Sequence, residues 1–148
     1  MKLSTRSTYG MQALVELALA AGRGPLSAAV IATRQDLSVA YLEQLLHRLK
    51  KQALVISVRG PKGGYLLAKE PEQITVAEIV RVLDGPGAMG EDRIRESQRH
   101  ADRIAQAVFR GVHGRLAHSL EQMTLRDLCD EVRDLSEEPL EHRYVFHI

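Results

Sequence analysis

From Val39 to Gln52 the apolar residues Leu42, Leu45, Leu46 and Leu49 recur at i, i+3, i+4 and i+7, the spacing of one helical face. Ser38 stands ahead of them as a cap, and the opposite stripe, Tyr41, Gln44, Arg48 and Lys51, is polar and basic. Upstream, Leu14, Leu17, Ala18 and Ala21 line one face of a first helix that Gly22 and Gly24 close. "LSAAVIATRQDLS" predicts a short second helix capped by Ser27 and ending near Asp36, a residue type that tolerates the left-handed turn. Two helices, a tight turn and a third helix with a basic outer stripe describe a helix-turn-helix. The period then changes. "LVISVR" and "YLLA" flank the turn residues "GPKGG", so residues 54 to 68 read as a β-hairpin with Tyr65 and Leu67 on its buried face. A hairpin directly behind a recognition helix is a wing.

"ITVAEIVRVLD" predicts a fourth helix capped by Thr75, and "GPGAMGED" is a linker by composition. From Asp92 to about Met123 a long helix follows, with Ile94, Ala101, Ile104, Ala105, Val108, Val112, Leu116 and Leu120 stepping by threes, fours and sevens. Such a stripe outside a compact domain packs on a second copy, which makes Ile94, Ala101, Ile104, Val108, Val112 and Leu116 the candidate dimer seam. "TLRDLCDEV" reads as a last short helix capped by Thr124. The fold class is therefore mostly α with a small β-hairpin, a winged helix-turn-helix plus a long dimerisation helix. Its parts are a DNA-binding domain over residues 1–84, a linker over 85–91, the dimerisation and short C-terminal helices over 92–133, and an acidic spacer with a tail over 134–148.

Charge sharpens this picture. Residues 1–69 hold ten Lys and Arg against three acids, a net of +7, whereas residues 70–148 hold ten against sixteen, a net of −6. A basic module joined to an acidic one suits a polyanion binder whose other half stays off the polyanion. A winged helix that only contacts proteins, the competing class, has no need of a basic recognition stripe and a basic wing together. The glycine-rich "GPKGGY" lacks the spacing and the following helix of a phosphate-binding loop, and no nucleophile stands beside a base, so no catalytic residue is assigned and an enzyme is not expected. No apolar run reaches the roughly 18 residues of a membrane span, and "MKLSTRSTYG" lacks a signal peptide's apolar core, so a cytoplasmic protein is expected. His100, His113 and His118 do not share one helical face for a metal. Cys129, the single cysteine, reads as a buried small hydrophobe whose acidic neighbours raise its pKa.

"MKLSTRSTYGMQALVELA", "LSVAYLEQLLHRLKK", "SVRGPKGGYLLAKEP" and "ITVAEIVRVLDGP" resemble, in order and spacing, the Rrf-type winged-helix repressors, the family of IscR, NsrR and CymR. The resemblance covers residues 1 to about 128. It implies that the third helix enters the major groove, that the wing reaches the minor groove, and that the long helix forms a homodimer on a pseudo-palindromic operator in double-stranded DNA. Carried over residue by residue, Ser38, Tyr41 and Gln44 face the groove beside Arg48, and Arg59 with Gly60, Pro61, Lys62, Gly63 and Gly64 forms the wing. Ala40 sits where some members carry a serine. Tyr41 packing against the hairpin, and Lys50 with Lys51 as a solvated helix end, stand as plain structural alternatives.

Many members of this family hold an iron-sulfur cluster through three cysteines in the linker and the start of the long helix. This chain has no cysteine there, and Thr8 and Gln12 on the first helix are poor ligands, so no metal site and no cofactor are expected. The resemblance is nearest to the cluster-less CymR branch. On "RYVFHI", Tyr144, Phe146 and Ile148 fall on one side of an extended peptide. CymR-type repressors end in a similar aromatic-rich sequence closing on isoleucine and bind cysteine synthase (O-acetylserine sulfhydrylase). The resemblance thus implies this enzyme as the tail's partner and control of cysteine metabolism as the role. The alternatives are a member of the family that senses another signal, redox, metal or small molecule, and the protein-interaction module.

Overall fold

The computed structural model of the chain describes residues 3–89 and 98–137. Its elements run α1 (Thr5–Leu19), α2 (Ala28–Arg34), α3 (Val39–Lys51), β1 (Val55–Val58), β2 (Gly64–Leu67), a 3-10 turn at Pro71–Gln73, α4 (Val76–Asp84), α5 (His100–Gln122) and α6 (Leu125–Glu137). This is the expected mostly helical winged helix-turn-helix with one antiparallel hairpin and a long C-terminal helix. Ser4, Ser27, Ser38 and Thr75 each open a helix the same way, the side-chain oxygen accepting the backbone N–H three residues on. Such a cap contributes about 1 kcal/mol, because it satisfies a donor the helix cannot.

Helices α2 and α3 also end alike. Leu37 N–H reaches the Ala32 carbonyl and Asp36 N–H the Thr33 carbonyl, while Leu54 N–H reaches Leu49 and Ala53 N–H reaches Lys50. The residues that make these reversals, Asp36 (φ 54°) and Ala53 (φ 57°), lie in the left-handed region that glycine usually occupies. Asp36 confirms the sequence expectation for the tight turn. Ala53 turns α3 into β1 without a glycine to signal it.

Leu42, Leu45, Leu46 and Leu49 of α3 are buried, together with Leu14 of α1, Ile31 of α2, Leu54, and Ile79 and Leu83 of α4. Two differences from expectation concern the C-terminal part. Helix α6, grouped from sequence with the dimerisation helix, belongs to this same core: Leu125 and Cys129 are buried in it, and backbone bonds from Val76 N–H to the Met123 carbonyl and from Leu125 N–H to the Ile74 carbonyl tie its start to the start of α4. Leu120, read as part of the outer stripe of the long helix, instead packs with Ala117 on the buried cluster Val76, Ala77, Val80 and Met89. The expected start of the long helix over residues 92–97, including Ile94, and linker residues 90 and 91 lie outside the described residues.

The C-terminal end of α4 is the point where the helices meet. The Asp84 carboxylate accepts hydrogen bonds from the Ser4 and Ser7 hydroxyls, the latter at 2.6 Å, and pairs with Arg6 at 3.4 Å, while Ser7 is fully buried. One turn on, Gly10 lets α1 approach so closely that a Cβ there would stand 2.1 Å from Leu83 Cδ1. Burial pushes the Asp84 carboxyl up, but the two hydroxyls and the Arg6 guanidinium together outweigh it and hold the group below its ordinary value. A carboxyl whose folded pKa is depressed adds stability that is complete above its ordinary pKa and is lost as pH falls through the folded value. Asp84→Asn is therefore expected to cost about 1–3 kcal/mol at pH 7 in urea unfolding, the difference shrinking as pH falls from about 5 toward 3. A cost that stays constant across that range would mean that the charge plays no part.

Candidate nucleic-acid interface

The outer stripe of α3 divides in the structure. Tyr41 is half-buried and meets the Tyr9 ring of α1 edge-on, with centroids 6.2 Å apart, so it packs on α1. Arg48 is exposed, but its Nη1 donates to the Leu83 carbonyl of α4 at 2.9 Å. Gln44 and Lys51 remain exposed on the side away from the leucines, and His47, at i+3 from Gln44, joins them. Sequence reasoning passed over His47, although its spacing from Gln44 was the available signal. Ser38 is exposed and acts as the cap of α3, its hydroxyl oxygen receiving the Tyr41 N–H.

The wing is fastened on two sides, to α3 and to the segment that precedes α2. Lys50 Nζ donates to the Ser57 hydroxyl of β1 at 2.7 Å, so that residue is a latch between helix and hairpin and more than a solvated end. Across the hairpin, Leu26 exchanges both backbone hydrogen bonds with Tyr65, at 2.7 and 3.1 Å, which adds a short third rung to β2. Tyr65 and Leu67 pack against the core, as their alternation implied. Between the strands, the Gly60 carbonyl accepts the Gly63 N–H at 2.9 Å, closing a four-residue turn with Pro61 in the second place, where its fixed φ fits.

The tip glycines have different roles. Gly60 has φ 115° and open space around it. A Cβ on Gly63 would stand 2.1 Å from the Val58 carbonyl oxygen, and one on Gly64, at φ 152°, would stand 2.2 Å from the Leu26 carbonyl oxygen. Gly63 and Gly64, both half-buried, therefore serve the protein's own backbone packing. Arg59, Pro61 and Lys62 are exposed, and neither basic side chain pairs with an acid among the described residues. The face thus offers a hydrogen-bonding amide, an imidazole and a lysine on a rigid helix, with an arginine and a lysine on a hairpin beside it. Such a set matches base edges with the helix and phosphates with the flanking cations.

On α5, Ile104, Val108, Val112 and Leu116 form a straight ridge of i+4 steps and remain 37–61% exposed, with Ala101 exposed beside them. Gly111 meets nothing within 4 Å of a Cβ position. A second apolar surface is a groove of about 470 Å³ between α1 and α6, lined by Leu3, Met11, Val15, Leu19, Leu128 and Val132 among others. Toward the core, His113 stacks on Phe109 at 3.9 Å, and its Nδ1 lies 3.2 Å from the carbonyl of buried Met89. Tyr144, Phe146 and Ile148 lie outside the described residues.

A family model described as Rrf2, iron-dependent transcriptional regulator, matches residues 3–131. The chain belongs to the Rrf2 family of DNA-binding transcriptional regulators. It is a regulator and not an enzyme. It is 36% identical over 138 residues to the HTH-type transcriptional regulator IscR of Sodalis glossinidius, covering 91% of this chain and 84% of that one. Among solved structures it is similar to CymR of B. subtilis (38% identity, TM-score 0.74, 88% of this chain and 98% of that one) and to T. potens IscR (37%, TM-score 0.77, 97% of each). CymR and IscR structures match alike, so the comparisons support the family and not one branch of it.

The family description implies iron. The residues present do not fit a thiolate-held cluster: the only cysteine of the chain is Cys129, which is 1% exposed in the core. Burial is the main force raising that thiol's pKa, with Asp130 and Glu72 adding to it and Arg126 and Arg133 opposing, so desolvation and not the adjacent acids is the principal cause. Among the described residues no group of three or more His, Cys, Asp or Glu is placed to hold a metal ion, and no helix is long and apolar enough to cross a membrane.

The wing geometry makes one expectation concrete. Gly64→Ala combines a left-handed backbone with a clash against the Leu26 main chain, and it should cost about 2–4 kcal/mol in urea unfolding. A cost below about 0.5 kcal/mol, the range of neutral surface changes, would show that the Leu26–Tyr65 rung is dispensable.

Proposed function

We propose that this chain is a cytoplasmic homodimeric repressor without an iron-sulfur cluster, reading a pseudo-palindromic operator with α3 in successive major grooves and the hairpin tip in the minor groove. The observation that carries this reading is the pairing of an outward Gln44–His47–Lys51 face with Arg59 and Lys62 on a wing latched to the same helix. Gln44 has the donor and acceptor for bidentate pairing with an adenine edge, the His47 ring is within the same groove face, and Ser38 and Tyr41 border it at the start of the helix. Arg59 and Lys62 neutralise phosphates. The ridge of α5 and the α1–α6 groove are apolar surfaces whose burial between two copies supports the dimer. Such a dimer holds its recognition helices about 34 Å apart, one turn of DNA.

The test is a pair of substitutions on a duplex selected by the wild-type protein from a random library. Gln44→Ala should cost about 1–3 kcal/mol at one base pair of each half-site and leave other sequences unaffected, whereas Arg59→Ala should weaken all sequences and lower the salt dependence by about one phosphate contact per protomer. Equal loss on every sequence for Gln44→Ala would remove it from base readout.

The proposed signal is cysteine supply, relayed by cysteine synthase bound to Tyr144, Phe146 and Ile148. It is supported by the absence of cysteine from residues 85–106 and by the likeness to CymR of B. subtilis. A peptide of residues 139–148 should bind O-acetylserine sulfhydrylase in calorimetry and be displaced by O-acetylserine. No heat with either the peptide or the full chain would leave the repressor with another signal.

A further inference from the structure

Arg48 is the one member of the polar stripe on α3 whose guanidinium is held by the protein's own main chain. Its acceptor, the Leu83 carbonyl, is next to Asp84, where Ser4, Ser7 and Arg6 of α1 converge. Gly85 follows with φ 93°, and four residues later Met89 is buried on α4 with its carbonyl 3.2 Å from His113 of α5. Beside the direct packing of Ala117 and Leu120 on α4, the recognition helix and the long helix are therefore joined through two short spans, the Arg48–Leu83 hydrogen bond on one side and residues 85–89 on the other. A hydrogen bond from a charged donor to a helix C-terminal carbonyl is directional and favoured by the helix dipole.

From this geometry we infer that Arg48 is a positioning residue. It fixes α3 to the end of α4, and through residues 85–89 to α5, so that it sets the spacing between the two recognition helices of the dimer and does not neutralise a phosphate. The inference rests on the dimeric reading above. The two roles differ in what they predict. A phosphate contact acts in each half-site separately and appears in the salt slope at about 0.9 per contact. A spacing element leaves each half-site intact and weakens only their simultaneous engagement, which is where the gain of a two-site binder arises.

The experiment uses the full chain and the palindrome selected from a random library by wild type, with three relatives of that duplex: one carrying a single half-site, and two with the spacer lengthened or shortened by one base pair. Arg48→Met keeps the aliphatic stem and removes the donors. It should bind the single half-site as wild type does, which also shows that it folds, keep the wild-type salt slope, and lose about 10- to 100-fold on the full palindrome while discriminating less between spacers. His113→Ala, on the far side of the joint, should loosen spacer discrimination in the same way. Equal proportional loss on half-site and palindrome, with the slope lowered by about one per protomer, would overturn the inference in favour of a phosphate contact. Unchanged spacer discrimination in His113→Ala would overturn the route through residues 85–89. A wild-type protein that binds half-site and palindrome equally would overturn the dimeric reading and this inference with it.

Discussion

The end of α4 carries the constraint on which the rest of the molecule depends. A half-buried carboxylate costs free energy unless donors surround it, and Asp84 has two hydroxyls and a guanidinium from the start of α1. That satisfies the charge only when α1 and α4 cross at one place, which the absence of a Cβ at Gly10 permits. Leu83, one residue earlier, fills the space opposite Gly10 with its side chain and receives Arg48 with its carbonyl. One turn of helix thus fixes α1, α3 and the departure point of the chain toward α5. Because these bonds involve different atoms of two adjacent residues, none of the three helices can shift without breaking a contact to another.

The surface proposed to face DNA follows from that arrangement by subtraction. Of the polar residues around α3, those on the flanks are taken up by neighbours, Tyr41 by Tyr9 and Arg48 by Leu83, and Lys50 by the wing. What remains free is the face most distant from the four buried leucines. The hairpin is held beside it by the Leu26–Tyr65 rung and by glycines that permit main chains to touch. The backbone that carries these free side chains is fixed because the flanking residues Tyr41, Arg48 and Lys50 have partners inside the protein, which lowers the ordering cost of binding.

The periodicity of α3 and the switch to strand alternation after Leu54 were sufficient to place the helix-turn-helix and its wing, because both are written in spacings of a few residues. The capping serines were legible for the same reason. What the sequence did not disclose depends on contacts between distant segments. Arg48 and Gln44 look equivalent along the helix, and only the position of α4 separates them. Gly63 and Gly64 read as a tip open to DNA until Leu26 is seen against them. Leu120 fits the stripe of the long helix by spacing, yet the surface that buries it lies on α4 more than thirty residues away. Helix α6 reads as an appendage because nothing in "TLRDLCDEV" records that Leu125 and Cys129 complete the first domain's core.

The central claim is that one rigid face, made by the outer side of α3 and the hairpin tip and held by the end of α4, is what meets DNA. Hydroxyl-radical footprinting of the protein, with and without the duplex it selects, tests this most directly, since side-chain oxidation reports exposure residue by residue. His47, Pro61 and Lys62 should lose reactivity together on binding, while Met123 and Leu135, both exposed and outside that face, should stay unchanged. Unaltered reactivity at His47 and the hairpin tip, with protection appearing at Met123 or Leu135, would contradict it.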